Sequence, residues 1–260
     1  TATETNTDTE TDTDTDTGTN TETDTGTDTD TGTDTENDAD TGPPTPARYP
    51  SATTHSPITF AVAENMRQIA AKTANSKTNV FMKIGASSTV STKTLHCFAS
   101  SKVDLGAHSN LQPTLTYFKA GKAAGTTPFN RKTAAAKSGK TAKWAISGNP
   151  SPISTEISAI SPRSAVIHYG TNDMGMGATY MHASYPFYES MMKLLAGLVD
   201  DGIVPILTGI SPRKDKAAAD RWVAAYNALI RGLAQRWQVP FIDLHHATGA
   251  LPGQGMSGDG

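Results

Sequence analysis

With 260 residues and a formal net charge of −3, the chain is long enough for one large domain or two small ones. Its lone cysteine, Cys97, excludes an intramolecular disulfide, and the lack of any stretch of about 18 apolar residues excludes a membrane-spanning helix. Charge is unevenly divided: Thr1 to Gly42 holds 14 of the 25 acids and no Lys or Arg, leaving 11 acids against 22 bases, a balance of +11, in the rest.

The first 42 residues alternate Thr with Asp, Glu, Gly or Asn and carry no large apolar side chain. Such a tract has nothing to bury against the entropy of ordering it and is expected to be a disordered, self-repelling tether. Residues 43–57 hold Pro43, Pro44, Pro46, Pro50 and Pro57, the composition of a stiff linker, which leaves 58–260 as the globular domain. A Thr-rich acidic spacer before a basic body suits a domain held off a surface, so secretion or cell-surface tethering is expected. The chain starts at Thr1 without Met, signal peptide or lipidation signal, from which a missing upstream segment is expected.

Val62, Met66, Ile69 and Ala70 recur at helical spacing and predict a helix over Phe60 to Lys72. Val80, Phe81, Met82 and Ile84 predict a buried strand over Asn79 to Ile84. A helix after Ser87 is expected to carry Leu95 and Phe98 inward, with Cys97 between them as a buried small hydrophobe. Another is predicted over Leu111 to Lys119. Gly121 to Asn149 is rich in Gly, Ala, Lys and Thr, and a helix is predicted across Thr133 to Ile146 apart from Gly139. A glycine there costs about 1 kcal/mol relative to alanine, which hints that the backbone must approach something closely. Lys119, Lys122, Arg131, Lys132, Lys137, Lys140 and Lys143 form the densest basic run, with no acid between Leu105 and Thr155. That run is either a solvated surface or a patch for an anionic polymer or membrane surface.

Ser164 to Tyr169 predicts the next strand. Phe187, Met191, Leu194, Leu195 and Leu198 then mark an amphipathic helix that Gly202 can end. Ile203 to Thr208 is a strand weakened by Pro205. Trp222, Tyr226, Leu229, Leu233 and Trp237 lay a second helical stripe before a strand over Val239 to Asp243. Strands alternating with long amphipathic helices specify a three-layer α/β/α sandwich with a central parallel sheet. Such sheets bind ligands at the carboxyl ends of their strands.

Ser87 and Gly170-Thr171-Asn172-Asp173 both fall at that edge. Ser87 stands where a strand stops and a helix starts, so it is either a nucleophile presented beside backbone amides or a simple helix cap. Ester cleavage through a serine needs a nucleophile, a base, a group to orient the base, and donors for the oxyanion. Ser87 can attack, while its own amide, the amide of Gly139 and the side chain of Asn172 can donate. His168, in an apolar strand, reads as a core histidine. His245 and His246 have no matching Cys or His cluster for a metal, and Gly175-x-Gly177 lacks the rest of a dinucleotide fingerprint, so neither metal nor cofactor is expected.

These residues resemble the GDSL or SGNH hydrolases, a family of esterases and lipases. The family's first block, usually Gly-Asp-Ser, stands here as Gly85-Ala86-Ser87. Its Gly-x-Asn-Asp block is intact at Gly170 to Asp173, and Gly139 matches the glycine of its second block. Ala86 in place of Asp keeps the nucleophile but removes whatever support that Asp gives the turn. The resemblance implies the flavodoxin-like sandwich, a Ser87 nucleophile and an oxyanion hole of Ser87, Gly139 and Asn172. The family's final Asp-x-x-His fits two places. Asp243-Leu244-His245-His246 has the spacing directly after a strand. Asp259 follows a family-like approach, with its His expected two residues past Gly260. Asp259 is taken as the catalytic acid.

The expected activity is hydrolysis of carboxylic esters through an acyl-enzyme. A basic, tethered body favours O-acylated carbohydrate, an anionic polysaccharide included, over free lipid, and no nucleic-acid partner is expected. The alternative is a non-catalytic carbohydrate- or surface-binding module on a hydrolase-like fold.

Overall fold

The computed structural model describes residues 45–92 and 94–255. The acidic tract, Pro43, Pro44 and Asp259 lie outside these residues. In chain order the described part runs α1 (Phe60–Ala71), β1 (Lys77–Gly85), α2 (Ser87–Val90), α3 (Gln112–Lys119), α4 (Ala142–Ala145), α5 (Pro152–Ile160), β2 (Pro162–His168), α6 (Tyr180–Asp200), β3 (Val204–Thr208), α7 (Ala217–Trp237), β4 (Phe241–Ile242) and α8 (Leu244–Gly249), with short 3-10 turns between. The four strands form one parallel sheet in the order β1-β2-β3-β4.

Side chains alternate across the sheet as strand geometry requires. On one face Met82, Ile84, Ala165, Ile167 and Leu207 share a core with Phe187, Met191, Leu194 and Leu198 of α6 and with Val223, Tyr226, Ile230 and Leu233 of α7. On the other, Phe81 and Val166 meet Leu115 and Phe118 of α3, and Phe129. This second cover is partial. An apolar groove of about 500 Å³ remains over Phe81, Val166, Ile206 and Ile242, walled by Leu95, Phe98 and α3.

The amphipathic helices and the strands they connect stand where periodicity predicts them, the last strand shortened from the expected Val239 to Asp243 to Phe241–Ile242. Four other expectations are corrected. The helix expected across Thr133 to Ile146 is confined to α4. Gly139 has φ +75, a left-handed conformation that a helix cannot hold, and the preceding residues pair with β1 instead. Gly85 N–H donates to Ala135 O (3.2 Å) and Lys137 N–H to Gly85 O (3.2 Å), adding a one-residue parallel bridge at Ala136.

After Ser87 the helix lasts only to Val90. Leu95 is left-handed (φ 61) and opens a 3-10 turn over His96–Ala99; Leu95 and Phe98 still pack on the second face. Cys97 is exposed, because that turn aims its two neighbours inward and Cys97 out.

Residues 45–56, expected to be part of a stiff linker, are held against the body. Ala47 and Tyr49 are buried, Tyr49 OH donates to Val239 O (2.9 Å), and the side chains of Gln235 and Gln238 accept from Tyr49 N–H (2.7 Å) and Ala47 N–H (2.6 Å). A bridge between His55 and Ile242 then covers the outer edge of β4. No helix among the described residues is long and apolar enough to cross a membrane.

Candidate active site at the carboxyl edge of the sheet

Ser87 opens α2 directly beyond the end of β1 and is exposed. Its N–H, at a helix start, has no intrahelical acceptor. The turn depends on Gly85: a Cβ there would lie 2.0 Å from Thr89 Oγ1 and 2.7 Å from His168 O. Close approach of α2 and β2 to this backbone therefore requires glycine.

Gly85 is also the register mark for the rest of the site. It pairs with His168 at the end of β2, four residues before Asn172, and with Ala136 on its other side, three residues before Gly139. Three predicted residues, Ser87, Gly139 and Asn172, thus leave the sheet at one end. Asn172 and the glycine loop touch: Asn172 Nδ2 donates to Lys140 O (2.9 Å). Its second N–H is uncommitted among the described residues, since an amide carries two. Asp173 lies beneath, buried, accepting from Ala142 N–H (2.9 Å) and Gly170 N–H (3.1 Å). Burial pushes its carboxyl up to about 6 despite those amides.

The segment carrying Gly139 is pegged by buried charges that sequence reasoning did not single out. Glu156 of α5 is fully buried and accepts from Arg131 Nε (2.9 Å), Arg131 Nη2 (3.0 Å) and Ala134 N–H (2.8 Å). Lys83, buried within β1, donates to Phe129 O (2.8 Å), and burial lowers it to about 8. The legible signals were the sole acid between Asp104 and Asp173 and a lysine inside an apolar strand.

The expected acid and base are not brought together among the described residues. Asp259 lies outside them. Asp243 caps α8, its Oδ1 accepting from the backbone N–H of His246 (2.9 Å), so the Asp-x-x-His spacing here serves a helix start. His168, half-buried, gives its Nδ1 proton to Thr208 Oγ1 (2.8 Å), whose own proton goes to Ile167 O; burial pulls this imidazole down to about 4. No histidine among the described residues pairs with a carboxylate. No group of three or more His, Cys, Asp or Glu among them could hold a metal ion.

The GDSL-like Lipase/Acylhydrolase family matches residues 113–260, a span that holds Gly139, the Asn172 block and Asp259 but not Ser87. Among solved structures the chain is similar to a GDSL-like lipase from Bacteroides thetaiotaomicron VPI-5482, with 18% identity over 72% of this chain and 80% of that one and a TM-score of 0.41. It is also similar to the psychrotrophic esterase EstA from a Pseudoalteromonas species, in a structure inhibited by monoethylphosphonate, with 14% identity over 70% and 85% and a TM-score of 0.43. No curated protein matches the chain.

Proposed function

The chain belongs to the GDSL-like lipase/acylhydrolase family, and from that premise we propose that it is a serine ester hydrolase in which Ser87 attacks the acyl carbon. The base takes the serine proton and returns it to the departing alcohol, and water then cleaves the acyl-enzyme. The oxyanion is received by the amides of Ser87 and Gly139 and by the uncommitted N–H of Asn172. Each such donor is worth roughly 3 to 4 kcal/mol of barrier. Asp259 is the orienting acid in this reading, because the Asp243 carboxylate is engaged as a cap.

The observation that carries the proposal is the shared departure of Ser87, Gly139 and Asn172 from one sheet edge, with Asn172 bonded into the glycine loop. The substrate class we propose is an O-acylated, acidic carbohydrate, for a secreted or surface-tethered enzyme. Of the seven bases from Lys119 to Lys143 only Arg131 forms an ion pair among the described residues, so the lysines flanking Gly139 remain available to an anion.

Hydrolysis of an aryl acetate by the full-length protein, lost in Ser87→Ala, is the test. A second reading, a binding module without catalysis, is favoured by Ala86 and by the lack of an imidazole–carboxylate pair among the described residues. Intact glycan binding with no hydrolysis would select it.

A further inference from the structure

Beside the Asn172 block lies a second cavity, of about 450 Å³, lined by Met174, Gly177, Thr179, Tyr180, Lys216 and Trp222. We propose that it is a subsite for an acidic sugar ring, a uronate residue of the glycan that carries the ester. The inference deepens the proposed function, from which it takes the carbohydrate substrate, but its binding step does not depend on catalysis.

The lining differs in kind from the almost wholly apolar groove on the sheet's second face. Here two half-exposed aromatic rings, Tyr180 and Trp222, stand 6.4 Å apart at a 40° tilt, together with a hydroxyl, glycine backbone and an ammonium. A sugar ring has apolar C–H faces and a polar rim, which matches rings that offer an apolar face beside hydrogen-bonding groups.

The charge is specific. Lys216 Nζ sits 6.0 Å above the Tyr180 ring centroid, exposed and in no ion pair among the described residues. The nearby acids have other partners: Asp215, which also feels the Lys216 charge, binds Arg213 through both oxygens (2.8 Å each), and Asp220 accepts from Arg213 N–H (2.7 Å). A ligand carboxylate therefore meets an ammonium whose neighbouring carboxylates already have partners.

Both walls are fixed in relation to the ester site. Arg213 Nη1 donates to Thr171 O (3.0 Å), tying the Lys216 loop to the residue before Asn172. Tyr226 OH donates to Tyr180 O (3.0 Å), fixing the start of α6. Exposed Met176, Met181 and Tyr185 come from the same loop and the first turns of α6, more apolar surface than solvent alone favours.

The test is titration of the full-length protein with trigalacturonate, followed by tryptophan fluorescence and calorimetry, with cellotriose as the neutral control. The expected result is saturable binding that Lys216→Met weakens about tenfold and Trp222→Ala weakens at least as much, and that added salt reduces. Cellotriose should bind more weakly and be indifferent to Lys216→Met. Lys216 is exposed, so that variant remains informative even if Trp222→Ala folds poorly. No binding by the wild-type protein, or equal binding of both trisaccharides with no effect of Lys216→Met, would overturn the proposal. Failure of the esterase reading would instead appear as no aryl acetate hydrolysis, with this binding intact.

Discussion

Asn172 reaches across from the end of β2 to donate a 2.9 Å hydrogen bond to the carbonyl of Lys140, the residue next to Gly139. One amide proton thus holds the glycine loop, while the other, uncommitted among the described residues, is the donor that the proposed reaction offers to the oxyanion. Asn172→Asp replaces both donors by a carboxylate that repels the Lys140 carbonyl and a developing oxyanion alike. We expect kcat to fall about 100-fold or more with little change in KM, as for an interaction made mainly in the transition state. A change confined to KM would assign Asn172 to ground-state binding.

The buried Glu156–Arg131 pair should matter to the fold as much as to the site. Glu156→Ala leaves Arg131, whose side chain is 21% exposed, without its partner, and removes the acceptor of Ala134 N–H. Breaking such a pair costs about 3 to 5 kcal/mol. Glu156→Gln, which keeps an acceptor, should cost less. Chemical denaturation of the two variants checks this; equal, small losses would show that the peg is dispensable.

Gly85→Ala should be poorly tolerated for lack of space. The new methyl would meet Thr89 and the His168 carbonyl at 2.0 and 2.7 Å, and overpacking of this kind costs about 1 to 3 kcal/mol. Because α2 must move to admit it, activity should fall further than stability explains. A variant with wild-type melting temperature and activity would mean that the turn accommodates a side chain.

Stability should depend on pH through two opposed groups. Asp173 rises from 3.8 to about 6 on folding, so its contribution is full below the unfolded value and is lost as pH rises through 6. His168 falls from 6.5 to about 4, so its contribution is present above the unfolded value and is lost as pH falls through 4. In Asp173→Asn only the histidine slope remains. Relative to wild type, the variant should gain on the order of 3 kcal/mol between pH 4 and pH 7, whatever its constant offset. Parallel pH profiles for the two proteins would contradict this.

Periodicity carried most of the fold. The stripes of α6 and α7 and the apolar runs of β1, β2 and β3 each bury a face, and burial is what a hydrophobic pattern records. The features that escaped it depend on partners distant in sequence. Ala135 to Lys137 forms a bridge because Gly85 offers an edge, and Tyr49 is fixed by Val239 and Gln235. Of the candidate site, Ser87 and Asn172 were legible because each follows a strand end, whereas Gly139 was singled out by its match to the family's second block, inside a helix that does not form there. Glu156 and Lys83 were missed although each stood out in the sequence, because an isolated acid or a lysine in an apolar strand does not say which distant group it pairs with. The spacing from Asp243 to His246 suits a helix cap and a catalytic pair equally in sequence; in the structure Asp243 Oδ1 accepts from the His246 backbone, as a cap does.

Labelling of the full-length protein with a serine-directed fluorophosphonate, followed by mapping of the modified residue, tests the assignment of Ser87 most directly. Modification should fall on Ser87, stop further reaction with an aryl acetate, and vanish in Ser87→Ala. Labelling that persists in that variant, or maps to another serine, would remove Ser87 from the nucleophile's role.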